Sequence, residues 1–388
     1  MPSVTDRYDP LDAQVLNDPY PVLAELRASE PVFWHQGMAS WALTRYADCV
    51  RVLRDHDTFA RDPRRTGGTV PEPSLSVQTL DPPQQSRIRS LFMAALRAQD
   101  LDGIEARARR LVRARLDALV GAGPFDMVSE IAVPLSVAVV ADLLGVEPPP
   151  YTEFAAVSDA IMRSMDGGLD PSLVEPGRIA RQRLSDLVDS WFTAAPRPGL
   201  LAQVRAAEPG VDALARLYVK NTARVMFQGG YSTMAAAVGN AVAVLLARPQ
   251  ALEEMRDPAL LATGVDELVR FDGPVQGTTR VTVRSCRIGG VEIGPGQKVV
   301  PLFAAANRDP DAFHGADALV LDRSPNRHLG YGWSPHSCIG TTVAQAGLRA
   351  LVTVLAEHPA RLVAAGEGLR RRTATMRAFA TLPALLLL

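Results

Sequence analysis

The longest helical pattern in this chain covers about residues 212–246. A helix rises about 1.5 Å per residue, so a helix of more than thirty residues is long enough to cross a whole domain. The pattern therefore predicts a long central helix around which the other elements have to pack.

Residues 227–233, inside this pattern, are unusual for a helix interior. Two adjacent glycines, Gly229 and Gly230, each cost roughly 1 kcal/mol relative to alanine and leave room for another group to approach the backbone. Ser232 and Thr233 can hydrogen-bond to the preceding turn and loosen it. Such interruptions often mark functional sites. The alternative interpretation is close packing of two helices.

The rest of the chain is predicted to be mostly helical, with short strands near residues 31–35, 40–44, 278–283, 291–293 and 298–302. Residues 61–80 are rich in Pro, Gly, Ser and Thr, which predicts a long surface loop. We find no repeat, low-complexity segment or linker. The pattern favours a single domain over residues 1–388, mainly α with small β-sheets (α+β).

Composition argues against several classes of function. The net charge is −1 at pH 7, so nothing favours a nucleic-acid partner. The three cysteines, Cys49, Cys286 and Cys338, are odd in number and far apart, which favours a reducing cytoplasm over a disulfide framework. The first ten residues lack an apolar core, so we expect no signal peptide, no membrane anchor and a soluble cytoplasmic protein.

Residues 328–340 read HLGYGWSPHSCIG. Glycine, serine and proline before Cys338 indicate a loop, and a helical pattern follows over residues 343–355. A helix N-terminus favours a thiolate over a thiol. A single thiolate is one of the few axial ligands that haem iron accepts. The alternative is a small cysteine that packs as a hydrophobic residue.

Four stretches, in order, carry a resemblance to a known family. Residues 331–340 keep the spacing of the cysteine loop F-G-x-G-x-H-x-C-x-G, with Tyr331 for Phe and Ser334 for the second Gly. Glu267 and Arg270 match an E-x-x-R pair, residues 307–310 match N-R-D-P, and residues 229–233 match the long-helix motif. Over nearly its whole length the chain resembles the cytochrome P450 family of haem-thiolate monooxygenases.

The resemblance implies a role for each matching residue. Cys338 would be the axial iron ligand, and Glu267 and Arg270 a buried structural pair. Thr233, with Ser232 beside it, would help to deliver protons during dioxygen activation. The resemblance also implies a set of cofactor-binding residues, of which the first three would bind the haem propionates: Arg89, Arg280, His328, Gln85, Tyr331, Gly332 and Gly340.

This sequence departs from the family pattern at several positions. Ser232 stands where an acid is usual, which puts normal proton delivery in doubt because a hydroxyl cannot hold a proton in reserve as a carboxylate can. Gln85 stands where a propionate-binding His is common. Gln345 and Gly347 replace an Arg and a Glu after the cysteine, which weakens any prediction about the face that binds the redox partner.

The resemblance implies a soluble, bacterial-type P450 fold that binds haem b and oxidises a small organic molecule with O2. Electrons would come from NAD(P)H through a ferredoxin and a ferredoxin reductase. We expect helices near residues 151–193 to form a lid and the loop at residues 61–80 to border the pocket. The other predicted pocket residues are Met226, Gly229, Gly230, Val275, Thr279, Met376 and Phe379.

Three functions remain open from the sequence. The first is hydroxylation or epoxidation, as in the tailoring of a secondary metabolite. The second is oxidative coupling of an aromatic or cyclodipeptide-like substrate, which Ser232-Thr233 and the short loop at residues 321–323 slightly favour. The third is a haem-binding protein without turnover, which the missing acid would suit.

Overall fold

A computed structural model describes residues 8–194, 197–206 and 213–388. The long helix spans Ala213–Ala247, 35 residues, or about 52 Å at the usual rise, and this prediction is confirmed. Within the described residues, Leu214–Ala247 is also the one helix long and apolar enough to cross a membrane. Its most apolar window is 61% buried inside the protein. A buried core helix can be as long and as apolar as a membrane-spanning one.

The fold is mainly helical, as predicted. The long helix packs against the helices Val133–Leu144, Val174–Thr193, Pro258–Asp272 and Thr341–Glu357. The described α-helices are α1 (Ala13–Asn17), α2 (Tyr20–Ser29), α3 (Tyr46–Arg54), α4 (Gln84–Arg97), α5 (Leu101–Leu119), α6 (Val133–Leu144), α7 (Tyr151–Arg163), α8 (Val174–Thr193), α9 (Leu200–Ala206), α10 (Ala213–Ala247), α11 (Pro249–Glu254), α12 (Pro258–Asp272), α13 (Phe303–Ala306) and α14 (Thr341–Glu357).

Small sheets lie beside the helices. A five-stranded sheet has the order β1-β2-β8-β5-β3, a three-stranded sheet the order β4-β12-β9, and β6-β7 and β10-β11 form two-stranded ribbons. In the five-stranded sheet only β2 and β8 run parallel. The strands are β1 (Val32–His35), β2 (Ser40–Leu43), β3 (Phe59–Ala60), β4 (Phe125–Asp126), β5 (Arg280–Thr282), β6 (Cys286–Ile288), β7 (Val291–Ile293), β8 (Lys298–Pro301), β9 (Arg361–Ala364), β10 (Leu369–Arg370), β11 (Phe379–Thr381) and β12 (Pro383–Leu387).

The predicted strands at β1, β2, β5, β7 and β8 are confirmed. The four strands after residue 360 were not predicted, and two of them, β10 and β11, are only two and three residues long. Runs this short carry too little alternation of apolar and polar residues to be recognised.

The loop at residues 61–80 contains three short 3-10 turns, Pro63–Thr66, Glu72–Ser74 and Val77–Thr79. Side chains of the long helix hold it in place. The Asn221 amide donates to the Glu72 carbonyl at 3.0 Å, and the Thr222 hydroxyl accepts from the Val77 backbone at 3.0 Å. The predicted loop therefore lies along the first half of α10.

Glu267 and Arg270, one turn apart in α12, form a fully buried ion pair with two hydrogen bonds of 2.7 Å. Arg270 also donates to three backbone carbonyls, those of residues 307, 316 and 318. Glu267 accepts from the Val320 backbone at 2.9 Å and from the Arg323 guanidinium at 3.0 Å. The pair therefore attaches the segment that leads into the cysteine loop to α12.

We predict that Glu267→Gln lowers the free energy of unfolding by about 3–5 kcal/mol, because it leaves Arg270 and Arg323 as buried charges without a carboxylate. Urea unfolding followed by circular dichroism measures this loss. Glu253→Gln is the matched control, since Glu253 pairs with Arg256 at the same spacing but both side chains are more than half exposed. That variant should lose less than about 1 kcal/mol. Equal losses in the two variants would contradict the structural role.

Candidate functional site

The cysteine loop is closed by its own backbone. The Cys338 N–H donates to the Tyr331 carbonyl at 2.7 Å, and the Gly332 N–H donates to the Leu329 carbonyl at 2.8 Å. A 3-10 turn, Ser334–His336, fills the loop, and α14 begins at Thr341. Cys338 thus stands just before a helix N-terminus, as the sequence predicts.

The Cys338 thiol is exposed even though the protein surrounds it on most sides. Burial raises the pKa of the thiol, while the Gly340 N–H, the Thr341 hydroxyl and the charge of Arg89 act in the opposite direction. The helix terminus alone therefore does not produce a thiolate here. A metal ion deprotonates a coordinating thiol outright, so an iron centre would supply the missing stabilisation.

Several arginine side chains lie close together on one side of this loop. Arg280 is 3% exposed, and among the described residues its guanidinium donates only to Thr278 Oγ1 at 3.3 Å and the Thr279 carbonyl at 2.9 Å. No acidic side chain of the described ranges lies within 4.0 Å of it. Burial, with the nearby charge of Arg61 as the second cause, lowers the pKa of Arg280 to about 9.

Asp81 is the carboxylate nearest to this positive charge. His336 Nε2 lies 3.3 Å from Asp81 Oδ1, and Arg65 lies 3.2 Å from Oδ2. Burial opposes ionisation of Asp81, yet hydrogen bonds from His336 and from the Asp62 and Arg61 N–H groups lower its pKa. Burial lowers the pKa of His336.

Asp81 thus pairs with the exposed Arg65, and the more buried Arg61 and Arg280 lie near the same carboxylate. A buried surplus of positive charge needs an anionic partner. The two propionates of a haem would supply it, so these residues fit the expected cofactor. Arg280 and His336 would hold the propionates, and Cys338 would hold the iron.

The role of His328 toward a propionate stays a prediction, and the structure gives its ring other partners. His328 Nδ1 accepts from the Gly330 N–H at 3.1 Å, and its Nε2 faces Asp266 at 3.9 Å. Both ring nitrogens therefore lie beside groups that are not part of the positive cluster. Sequence reasoning missed His336 in that role, although His336 occupies the histidine position of the cysteine-loop motif.

Arg89 and Gln85, two predicted cofactor-binding residues of α4, form hydrogen bonds with the cysteine loop. Arg89 donates to the Ser337 carbonyl at 2.8 Å and to Ser337 Oγ at 3.0 Å. The Gln85 amide donates to the Pro335 carbonyl at 2.6 Å. Both side chains therefore end beside the loop that carries Cys338, and their roles toward a haem stay predictions.

The long helix continues through residues 227–233 without a break, so the expected loosening does not interrupt the helix. Thr233 Oγ1 donates to the Gly229 carbonyl at 2.5 Å, and Ser232 Oγ donates to the Gln228 carbonyl at 2.7 Å. Both hydroxyls bond to the preceding turn, as the sequence suggests, but the helix accommodates them.

The two helix glycines differ in their surroundings. A Cβ added at Gly229 would meet no atom within 4 Å, so this face of the helix is open. A Cβ added at Gly230 would lie 3.0 Å from Val140 Cγ2 on α6. Gly229 therefore leaves room for a flat group to approach, whereas Gly230 allows two helices to pack closely. Both interpretations of the glycine pair hold, one for each residue.

Several predicted pocket residues come together. Val275 and Met376 form an isolated β-bridge, and Met376 packs in a small apolar cluster with Ala236 of the long helix. Phe379 lies 3.7 Å from the position that a Cβ on Gly239 would take. Met226 packs, partly buried, against the main core. Thr279 is partly exposed, and its carbonyl accepts from Arg280.

Sequence reasoning missed a contact that anchors the predicted lid. Asp166, between α7 and α8, is 4% exposed. It accepts hydrogen bonds from the Ala374 N–H at 2.8 Å, the Thr375 N–H at 3.0 Å and the Thr375 hydroxyl at 2.7 Å. A lone Asp between two helices carries no signal in the sequence for such a distant partner.

We predict that Ser334→Gly raises the free energy of unfolding by about 1 kcal/mol. Ser334 has a φ of +62°, a left-handed conformation that crowds Cβ in every residue except glycine. Thermal or urea unfolding measures the gain. Ser334→Ala keeps Cβ and should bring no such gain. A Gly variant no more stable than the Ala variant would contradict the strain at this position.

Comparisons with known proteins agree with this geometry. A family model described as Cytochrome P450 matches residues 181–358. Nocardicin C N-oxygenase of Nocardia uniformis subsp. tsuyamanensis is 31% identical over 364 residues, 90% of each chain. Mycinamicin IV hydroxylase/epoxidase of Micromonospora griseorubida is 30% identical over 345 residues, 86% of each chain.

Among solved structures, the crystal structure of CalO2 superposes with a TM-score of 0.86 at 29% identity and covers 98% of each chain. The level of identity, the near-complete coverage and the shared fold lead to one conclusion: the chain belongs to the cytochrome P450 family and is a haem-dependent oxidoreductase of the monooxygenase type.

Proposed function

We propose that this P450 hydroxylates a small organic molecule in the tailoring of a secondary metabolite. The observation that carries the proposal is the Cys338 thiol, exposed at a helix N-terminus beside a buried surplus of positive charge. The relatives named as a hydroxylase/epoxidase and an N-oxygenase support it. We also propose that the haem is haem b and that the protein acts in the cytoplasm.

When bound, the haem supplies the redox chemistry and the activation of dioxygen. The chain's own residues hold and orient the reactants. Cys338 Sγ would ligate the iron, Arg280 and His336 would hold the propionates, and Arg89 would brace the loop through Ser337. The open face of the long helix at Gly229 leaves room for a reactant next to the helix backbone.

Proton delivery is assigned to Thr233, with Ser232 beside it. Each hydroxyl donates its proton to a helix carbonyl, which leaves its oxygen lone pairs free to accept from a water or from the substrate. Neither hydroxyl is an acid near neutral pH, so each can only pass a proton along. The source of the proton is therefore water or a donor group on the substrate.

Electrons are proposed to come from a ferredoxin and its reductase. Gln345 and Gly347, the two residues after the cysteine that differ from the family pattern, each contact another part of the fold. The Gln345 amide donates to Asp266 at 2.7 Å, and a Cβ added at Gly347 would lie 3.0 Å from Met234 Sδ. Each position therefore has a local packing role, so the departures do not argue against a ferredoxin as the partner.

Oxidative coupling remains the second candidate, and Ser232 in the place of the acid is the observation that favours it. The loop at residues 321–323 no longer supports it, because Arg323 pairs with Glu267 at 3.0 Å and so has a structural role. The products separate the two reactions. A hydroxylated product gains one oxygen atom, whereas a coupled product loses two hydrogen atoms.

We predict that Cys338→Ala abolishes the carbon-monoxide difference spectrum typical of thiolate-ligated haem, because the iron loses its sulfur ligand. The reduced protein under carbon monoxide provides the measurement. Cys286→Ala, in β6, removes a different partly exposed thiol and should keep the spectrum. A thiolate spectrum that persists without Cys338 would overturn the proposed iron ligand.

We predict that Thr233→Ala uncouples turnover, so that more NADPH yields peroxide and less yields product, because the hydroxyl that passes protons is lost. The change should be roughly tenfold or more in the ratio of product to peroxide. Ser232→Asp adds the missing acid and should raise coupling most for substrates that lack a proton donor of their own. Unchanged coupling in Thr233→Ala would contradict the relay.

A further inference from the structure

Two arginines lie between the long helix α10 and the lid helix α8, and neither has a carboxylate partner among the described residues. Arg224 is 8% exposed and donates through Nη1 to Ser185 Oγ at 2.5 Å. Arg181 is partly buried and donates through Nη2 to Ser164 Oγ at 2.6 Å. Throughout residues 8–194, 197–206 and 213–388, no acidic oxygen lies within 4.0 Å of either guanidinium.

The positive charge here is not compensated locally. Burial lowers the pKa of both arginines, and the charge of Arg181 lowers that of Arg224 further. Asp189 acts in the opposite direction on Arg224, but its carboxylate forms an ion pair of 2.9 Å with Lys220. A buried charge without a counterion is costly, so the pair favours an anionic occupant.

Most of the hydrogen-bonding capacity of these groups is unused. A guanidinium carries five N–H donors, and each of the two has a single hydrogen-bond acceptor among the described residues. Gln228, one turn after Arg224, donates to Ser158 Oγ at 3.1 Å, while its buried Oε1 has no partner. Two strong donors and one acceptor without a described partner therefore lie where α10 meets the helix pair α7–α8.

Aromatic side chains of α7, α8 and α10 pack together in the core, one helical turn from Arg224. The Phe227 ring lies 4.7 Å from those of Phe154 and Trp191, measured between ring centres. Arg224 precedes Thr233 by nine residues, or ~13 Å along the helix axis. A molecule that reaches from the proposed haem site to Arg224 would therefore have an anionic end and an apolar body.

We propose that Arg224 and Arg181 bind a carboxylate of the substrate beneath the lid, and that Gln228 Oε1 accepts a hydrogen bond from an N–H or O–H group elsewhere on the substrate. The guanidinium fork matches a carboxylate and can bind it with two hydrogen bonds. This inference rests on the proposed function, because it assigns the substrate class of the same pocket: an apolar molecule with a carboxylate remote from the oxidised atom.

The test uses two series of iron-binding probes. One consists of ω-(imidazol-1-yl)alkanoic acids of increasing chain length, and the other of N-alkylimidazoles of the same lengths. Both place an imidazole on the haem iron, so a Soret shift reports their dissociation constants. We expect the best acid to bind roughly 10- to 100-fold more tightly than its neutral counterpart, the usual range for hydrogen bonds to a charged group.

The double variant Arg181→Gln/Arg224→Gln should lose this preference and keep its affinity for the neutral probe. Arg183→Gln, on the exposed side of α8, removes one positive charge outside the interface and should keep the preference. Arg224→Lys retains the charge and should keep most of it, which guards against a variant that fails merely because the fold is damaged.

Each result has a definite meaning. Equal affinities for acid and neutral probes in the wild type, or a preference that survives in the double variant, would overturn the carboxylate site alone. A protein with bound haem that responds to neither series would overturn the proposed pocket, and this inference with it. Affinity of the wild type for the neutral probe thus separates the two failures.

Discussion

The buried pair of Glu267 and Arg270 is the interaction on which the site depends. Arg270 uses its donors on three carbonyls of the segment that precedes the cysteine loop, and Glu267 neutralises it while accepting from Val320 and Arg323. Buried ion pairs contribute little net stability, but they penalise any arrangement that separates the partners. The ion pair and its hydrogen bonds, together with apolar packing, therefore fix the position of the segment that leads into the Cys338 loop.

Much of the fold follows from the sequence because its signals are long or repeated. The 35-residue helix and the strands with alternating residues were predictable. The strands β10 and β11 were not, since strands of two and three residues are too short to show an alternating pattern. The lid contact of Asp166 has the same limit, because its partners lie more than two hundred residues away.

In the candidate site, too, some features have a signal in the sequence and others depend on distant contacts. The spacing of the motifs singled out Cys338 and the E-x-x-R pair, and the family resemblance added Arg280 as a prediction. Choosing between His328 and His336 required the direction of each ring, which depends on Asp266 for one and on Asp81 for the other. Spacing along the chain could not separate the two glycines of the long helix either, because one faces open space and the other faces Val140.

The contact of Asp166 with residues 374 and 375 has a consequence for the evolution of this protein. Thr375 also accepts, through its carbonyl, from the Gln276 backbone, and Met376 bridges to Val275. The tip of the helix pair α7–α8 and the turn beside the predicted pocket are thus parts of one hydrogen-bonded unit. Recombination that imports the helix pair from a relative would break this unit unless the turn is imported with it. The two segments should therefore be inherited together when substrate preference diverges.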